Sequence, residues 1–190
     1  MTRSTSIALL TIALVVGQAT AQKKTASESS VMQKPASGGE RVKLGFLVGS
    51  FKTETRIPPL PSLPKGATGK GTSVVAWALD SMFLVIDDQS FNSLLGNYKG
   101  HGLLGFDHQS KEYVLSMFNN FGDRPSYSGN FVGDTLVLEA KVPYLGGTFD
   151  QKLLWNKDGQ TVRLRVLNNL GKGYQLSLEQ TSTPDAHGMK

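Results

Sequence analysis

From residue 41 onward the apolar side chains recur at every second position, and this constrains the fold more than any other feature of the chain. In Thr161 to Leu167, Val162, Leu164 and Val166 fall on one side, and Arg163 and Arg165 on the other. Leu136, Leu138, Ala140 and Val142 alternate with Thr135, Glu139 and Lys141, and Tyr174, Leu176 and Leu178 alternate with Gln175, Ser177 and Glu179. A β-strand sends successive side chains to opposite faces, so each segment reads as a strand with one buried side. The one helix expected is a short one over Glu40 to Leu47, with Ser37 and Glu40 at capping-box spacing.

Turn residues punctuate these runs at short intervals. Asp80-Ser81, Asp107 to Lys111, Gly133-Asp134, Asn156 to Gly159 and Asn168 to Gly173 are each rich in Asn, Asp or Gly. The spacing predicts about ten strands, near 48–57, 70–79, 82–89, 98–106, 112–118, 125–132, 134–142, 147–156, 160–168 and 173–182. Connections this short join antiparallel neighbours and leave no room for a crossover helix. A meander of this many strands curls shut or leaves a long bare edge. The expectation is therefore an all-β, antiparallel up-and-down barrel, with a two-sheet sandwich as the alternative. One connection differs: Ile57 to Gly66 (IPPLPSLPKG) holds four of the eight prolines. Proline lacks a ladder donor, so this stretch reads as an extended outer loop or as a lid over one mouth.

The amino-terminal segment follows other rules. Arg3 precedes an apolar run, Ile7 to Gly17, and Ala19-Thr20-Ala21 supplies small residues for cleavage after Ala21. This is the pattern of a secretory signal peptide over 1–21. An eleven-residue apolar run spans only about 16 Å as a helix, too short for a ~30 Å hydrocarbon core, so stable membrane insertion after cleavage is not expected. Residues 22–40 are polar and read as a flexible tether. Residues 41–182 form the barrel domain, and 183–190 a loose tail. The expected location is exported, periplasmic or secreted, and the expected state is a monomer.

Composition removes several chemistries. The chain has no cysteine, which excludes disulfides, thiolate metal sites and a cysteine nucleophile. Its net charge of +5 arises from 20 Lys and Arg against 15 Asp and Glu. That charge is not gathered into the basic stripe nucleic-acid binding requires.

Three features together resemble a known family. Phe46 to Phe51 is similar to the G-x-W opening of lipocalin-like barrels, with Phe51 in the tryptophan's place. Gly100-His-Gly-Leu-Leu-Gly-Phe-Asp107, followed by Lys111-Glu-Tyr-Val-Leu-Ser116, resembles the central hairpin motif of the DUF1579 family. The Pro-rich loop and the Trp77 strand stand in that family's order. The resemblance covers roughly 44–182 and implies a lipocalin-like, calycin-type barrel, often exported. It implies no reaction.

Candidate sites follow. Gly100, Gly102 and Gly105 match a dinucleotide-binding pattern, but a strand rather than a helix is expected after them, so they read as room for close packing. His101, His108 and His187 lack metal-ligand spacing. A haem-ligating His101 would require that side chain to face the lumen; the alternative is a solvent-bonded strand histidine. Asp87-Asp88 reads as a strand-end pair whose members face opposite ways. No nucleophile elbow or P-loop occurs, so no catalytic residues, no metal and no cofactor are expected, and the protein is not expected to be an enzyme. The aromatics Phe51, Trp77, Phe106, Tyr113, Phe149, Trp155 and Tyr174 lie on different strands and are the candidate lumen lining. Arg163 and Arg165 are candidate anion anchors if inward, although alternation places them outside. The functional expectation is an exported barrel that binds a small apolar ligand in its lumen. The alternative is a structural or protein-interaction envelope barrel whose lumen is filled.

Overall fold

A computed structural model describes residues 38–60, 63–144 and 146–186, with the backbone alone at Tyr144. The expected signal peptide, nearly all of the tether, Ser37 and His187 lie outside the described residues. A short helix, α1 (Gly39–Val42), runs into a 3-10 segment, Lys43–Leu47. Ten strands follow: β1 (Gly49–Ile57), β2 (Ala67–Ala78), β3 (Phe83–Asn92), β4 (Gly96–Asp107), β5 (Glu112–Asn119), β6 (Ser126–Val132), β7 (Thr135–Tyr144), β8 (Gly147–Asp158), β9 (Thr161–Asn169) and β10 (Tyr174–Pro184). Each pairs antiparallel with its sequence neighbour, and β1 also pairs with β10. The sheet is a closed up-and-down barrel, not a sandwich. None of the ten described strands is left with an unpaired edge to manage.

Alternation selects the inner face. In β1, Phe51, Thr53, Thr55 and Ile57 are buried, and Lys52, Glu54 and Arg56 are exposed. Leu136 and Leu138 on β7 and Val162 on β9 are likewise buried. Among the described strands, the pairing register shifts in β10. A β-bulge in β10 shifts register between Leu176 and Leu178, and the Ser177 hydroxyl donates to the Val166 carbonyl at 3.0 Å. One extra residue reverses the facing of everything before it. Tyr174 and Leu176 therefore pair with Asn169 and Leu167 and stay exposed, while Leu178 turns inward. The expectation that these three share one face is corrected by this bulge.

The helical segment closes one end of the barrel. Leu44 and Leu47 are buried in a cluster with Phe51, Val75, Leu84, Leu104, Tyr113 and Leu136. The Tyr113 hydroxyl donates to the Glu40 carbonyl oxygen at 2.7 Å, and its distance to the Glu40 carboxylate is 2.8 Å. Buried Arg41 donates to the Ser81 carbonyl at 3.2 Å and contacts Met82 Sδ. It thereby holds the β2–β3 turn, where Leu79, Asp80 and Ser81 all take positive φ, a conformation non-glycine residues avoid. The cap residue is Gly38, which makes no side-chain cap bond, and the Glu40 carboxylate is used by Tyr113 and by Lys43 at 2.9 Å; the expected capping box falls on Ser37, outside the described residues. The described residues of the Pro-rich connection, 58–60 and 63–66, lie at the opposite end with the loops at 93–95, 120–125 and 170–173. Within that connection Leu60 and Leu63 form an isolated antiparallel bridge.

Candidate functional site

The lumen divides into a packed half and a hollow half. Around the helical plug, Phe106 meets Tyr113 edge-on at 5.1 Å, and Tyr113 meets Phe131 at 5.3 Å. Beyond this aromatic layer lies a cavity of about 220 Å³. Its apolar wall includes Ile86, Leu115, Met117, Leu153, Trp155, Leu164, Val166 and Leu178. A smaller hollow of about 40 Å³ lies between Phe51, Val75, Trp155 and Val162, on the plug side. Asp88, Ile86, Trp155, Leu164 and Gln180 line both spaces. Two larger hollows lie elsewhere. One, beside α1, is bordered by Lys43, His108 and Lys111; the other, on the outer wall, by Glu54, Arg56 and Lys70. These are exposed, charged grooves, and a small apolar ligand gains little from them.

Glycines in β4 make room for the cavity wall. A Cβ at Gly102 would sit 2.6 Å from Met117 Sδ, and one at Gly100 would overlap the Tyr98 hydroxyl. Both neighbours line the cavity. The dinucleotide-like spacing is thus a packing device: the Asp107–Lys111 turn and then β5 follow it, with no helix to receive a phosphate.

Polar groups punctuate the apolar wall. Tyr127 donates to Gln151 Oε1, and Gln151 Nε2 donates to Asn168 Oδ1 at 2.8 Å. Burial pushes the Tyr127 and Tyr98 hydroxyls up to about 12, with the negative charge of Asp123 and of Asp88, respectively, adding to the shift. Asn92 uses its Oδ1 to accept from the Leu94 and Leu95 amides. Its Nδ2 and the Thr55 hydroxyl are buried without a protein partner. The two residues flank Gly69 across β1, β2 and β3, and both line the cavity.

Asp88 is the carboxylic acid of this lumen. Burial raises its pKa above the ordinary value of 3.8; a hydrogen bond with the Ser73 hydroxyl opposes the rise, and the charge of Asp87 adds to it. Asp87 faces outward and takes His101 Nδ1 at 2.7 Å. His101 is therefore on the outer wall, on the side from which a lumenal haem is out of reach. His108 is exposed in the β4–β5 turn, edge-on to Phe106.

The seven aromatics expected in the lining separate into groups. Phe51 and Trp155 line the hollow. Tyr113, Phe106 and Trp77 belong to or pack against the core cluster at the plug. Phe149 is half-buried and shares the parity of Gln151 and Leu153, but is not part of the cavity wall. Tyr174 is outside, with Lys152 Nζ 4.3 Å from its ring centroid. Arg163 and Arg165 are on the outer face. Arg163 Nη2 pairs with Asp158 at 3.0 Å and its Nε lies 3.9 Å from Glu179, while Arg165 is exposed. Sequence reasoning passed over Asp88, Tyr98, Tyr127, Gln151 and Gln180 as lining residues. The signal for Asp88 was present, since it falls in phase with Leu84 and Ile86 on β3.

No protein-family model matches the chain, and no curated protein matches it. Among solved structures it is similar to the crystal structure of Rv2717c from M. tuberculosis. The TM-score is 0.57 at 16% identity, over 78% of this chain and 98% of that one. At that identity the likeness shows a shared barrel fold. A de novo designed fluorescence-activating β-barrel is similar at a TM-score of 0.42 and 12% identity, over 74% of this chain and 95% of the design.

Proposed function

We propose that this protein is an exported, non-enzymatic, monomeric barrel of the DUF1579 kind that binds one small, mostly apolar molecule in the hollow half of its lumen. The observation that carries the reading is the cavity itself: about 220 Å³, walled by hydrocarbon and supplied with a few polar groups. Dry apolar cavities of ~150 Å³ hold benzene, and drug-sized sites start near ~300 Å³, so the fitting occupant has one or two rings or a short chain. The Thr55 hydroxyl and Asn92 Nδ2 support the same reading, because buried polar groups ordinarily find a partner. Export is supported by the charge, apolar run and A-x-A pattern of residues 1–21.

Magnitudes set what the hydrocarbon can do alone. Transfer of about 200 Å² of apolar ligand surface from water gains about 5 kcal/mol at ~25 cal/mol per Å². Before ordering costs this corresponds to a Kd of a few tenths of a millimolar, about 3 kcal/mol short of micromolar binding. The polar groups of the wall have to supply the difference.

Native mass spectrometry and thermal-shift measurements with small aromatic hydrocarbons test the reading. Retained mass and a rise in Tm are expected, and Val166→Phe, which fills the hollow, removes both while circular dichroism stays that of a β-barrel. An empty native mass together with an unmoved Tm across such ligands overturns it, and leaves the structural barrel with a filled lumen as the better account.

A further inference from the structure

The polar side of the cavity defines the chemistry of its occupant, on the premise that the lumen binds a ligand at all. Asp88 faces both the main hollow and its inner extension, and among the described residues no lysine, arginine or histidine lines either. Its protein partner is the neutral hydroxyl of Ser73. Its neighbour Asp87, which has an imidazole beside it, is directed to the opposite face. Three aromatic side chains, Tyr98, Tyr127 and Trp155, line the same space. The face of an aromatic ring is negative, and a cation placed over it is attracted, more so where water is excluded. A carboxyl group and three rings around a hollow without a cation of its own form surroundings suited to an ammonium group. An anionic ligand there meets a like charge.

We propose that the lumen takes a small apolar amine, its protonated nitrogen against Asp88 and its hydrocarbon between Leu115, Leu153, Leu164 and Val166. The carboxylate–ammonium contact is a charge-assisted hydrogen bond, stronger than any neutral contact the wall offers. Formation of the pair favours the ionised form of Asp88, which burial alone disfavours.

Three ligands of one skeleton test this: 3-phenylpropylamine, propylbenzene and 3-phenylpropionate, titrated into the purified full-length protein by calorimetry and by tryptophan fluorescence. The expected order is amine, then hydrocarbon, then carboxylate, with the amine tighter than the hydrocarbon by about tenfold or more. Asp88→Asn, checked for its fold by circular dichroism, is expected to erase the amine's advantage over propylbenzene measured on the same variant. If propylbenzene binds and the amine binds no tighter, or if the carboxylate ranks first, the amine proposal falls and the ligand-binding reading stands. If the amine keeps its advantage in Asp88→Asn, the proposal also falls. If none of the three binds the wild-type chain, both fall. The ranking on the wild-type protein decides the matter even where the variant does not fold.

Discussion

Asp88 is an acid on the inner side of an amphipathic strand, and its surroundings set a pH dependence opposite to that of most carboxylates. Its native pKa lies above the ordinary 3.8 because burial disfavours the charged form. As pH rises above 3.8, the unfolded chain releases this proton before the native one does. The native state then holds more protons, and stability falls until the native carboxyl has also ionised. Glu40 and Asp107 act the other way. The Lys43 and Tyr113 bonds lower the pKa of Glu40, and the Gln109 amide and Ser110 hydroxyl lower that of Asp107. The informative quantity is therefore a difference: Asp88→Asn gains stability relative to wild type as pH rises from 3.8, and the difference levels off below it. Urea midpoints over a pH series check this, and a gap that stays constant with pH would overturn it. Asp88 was legible as an inward residue from its phase with Leu84 and Ile86. Its consequence was not, because alternation says which wall a side chain joins but not whether the space behind that wall is full.

The plug and the bulge show where element-level reading succeeds and stops. Leu44 has no exposed surface and is packed among Phe51, Leu104 and Leu136. Leu44→Ala removes hydrocarbon from a fully buried site, and a loss of about 2–5 kcal/mol is expected in denaturant unfolding. A loss below about 1 kcal/mol would mean that the segment merely rests on the barrel end. The strands were legible because runs such as Val162, Leu164 and Val166 against Arg163 and Arg165 keep a two-residue period, and each end falls within three residues of the expected range. The β10 bulge was not legible. Ser177 is an ordinary strand residue, and nothing local distinguishes an inserted position from a paired one. That single unseen residue sent Tyr174 and Leu176 outside and so removed one ring from the expected lining.

Closure makes the stability of the whole barrel depend on its thinnest seam. β5 and β6 share four register pairs, Tyr113 to Ser116 against Gly129 to Ser126. The β2–β3 and β3–β4 seams each carry ten. Amide exchange is expected to be fastest, among the strand interiors, along the β6 side of this seam, while β2, β3 and β4 exchange only with global unfolding. Uniform protection across all ten strands would refute this. Short connections and strand number favoured closure but left the sandwich open, and the unequal seams reflect side-chain and turn details that periodicity does not encode. The buried helical segment has one further effect. With Leu44 and Leu47 wedged into one end, the cylinder is a cul-de-sac and not a conduit. If the lumen takes a ligand, as proposed, exchange is expected at the end away from this stopper.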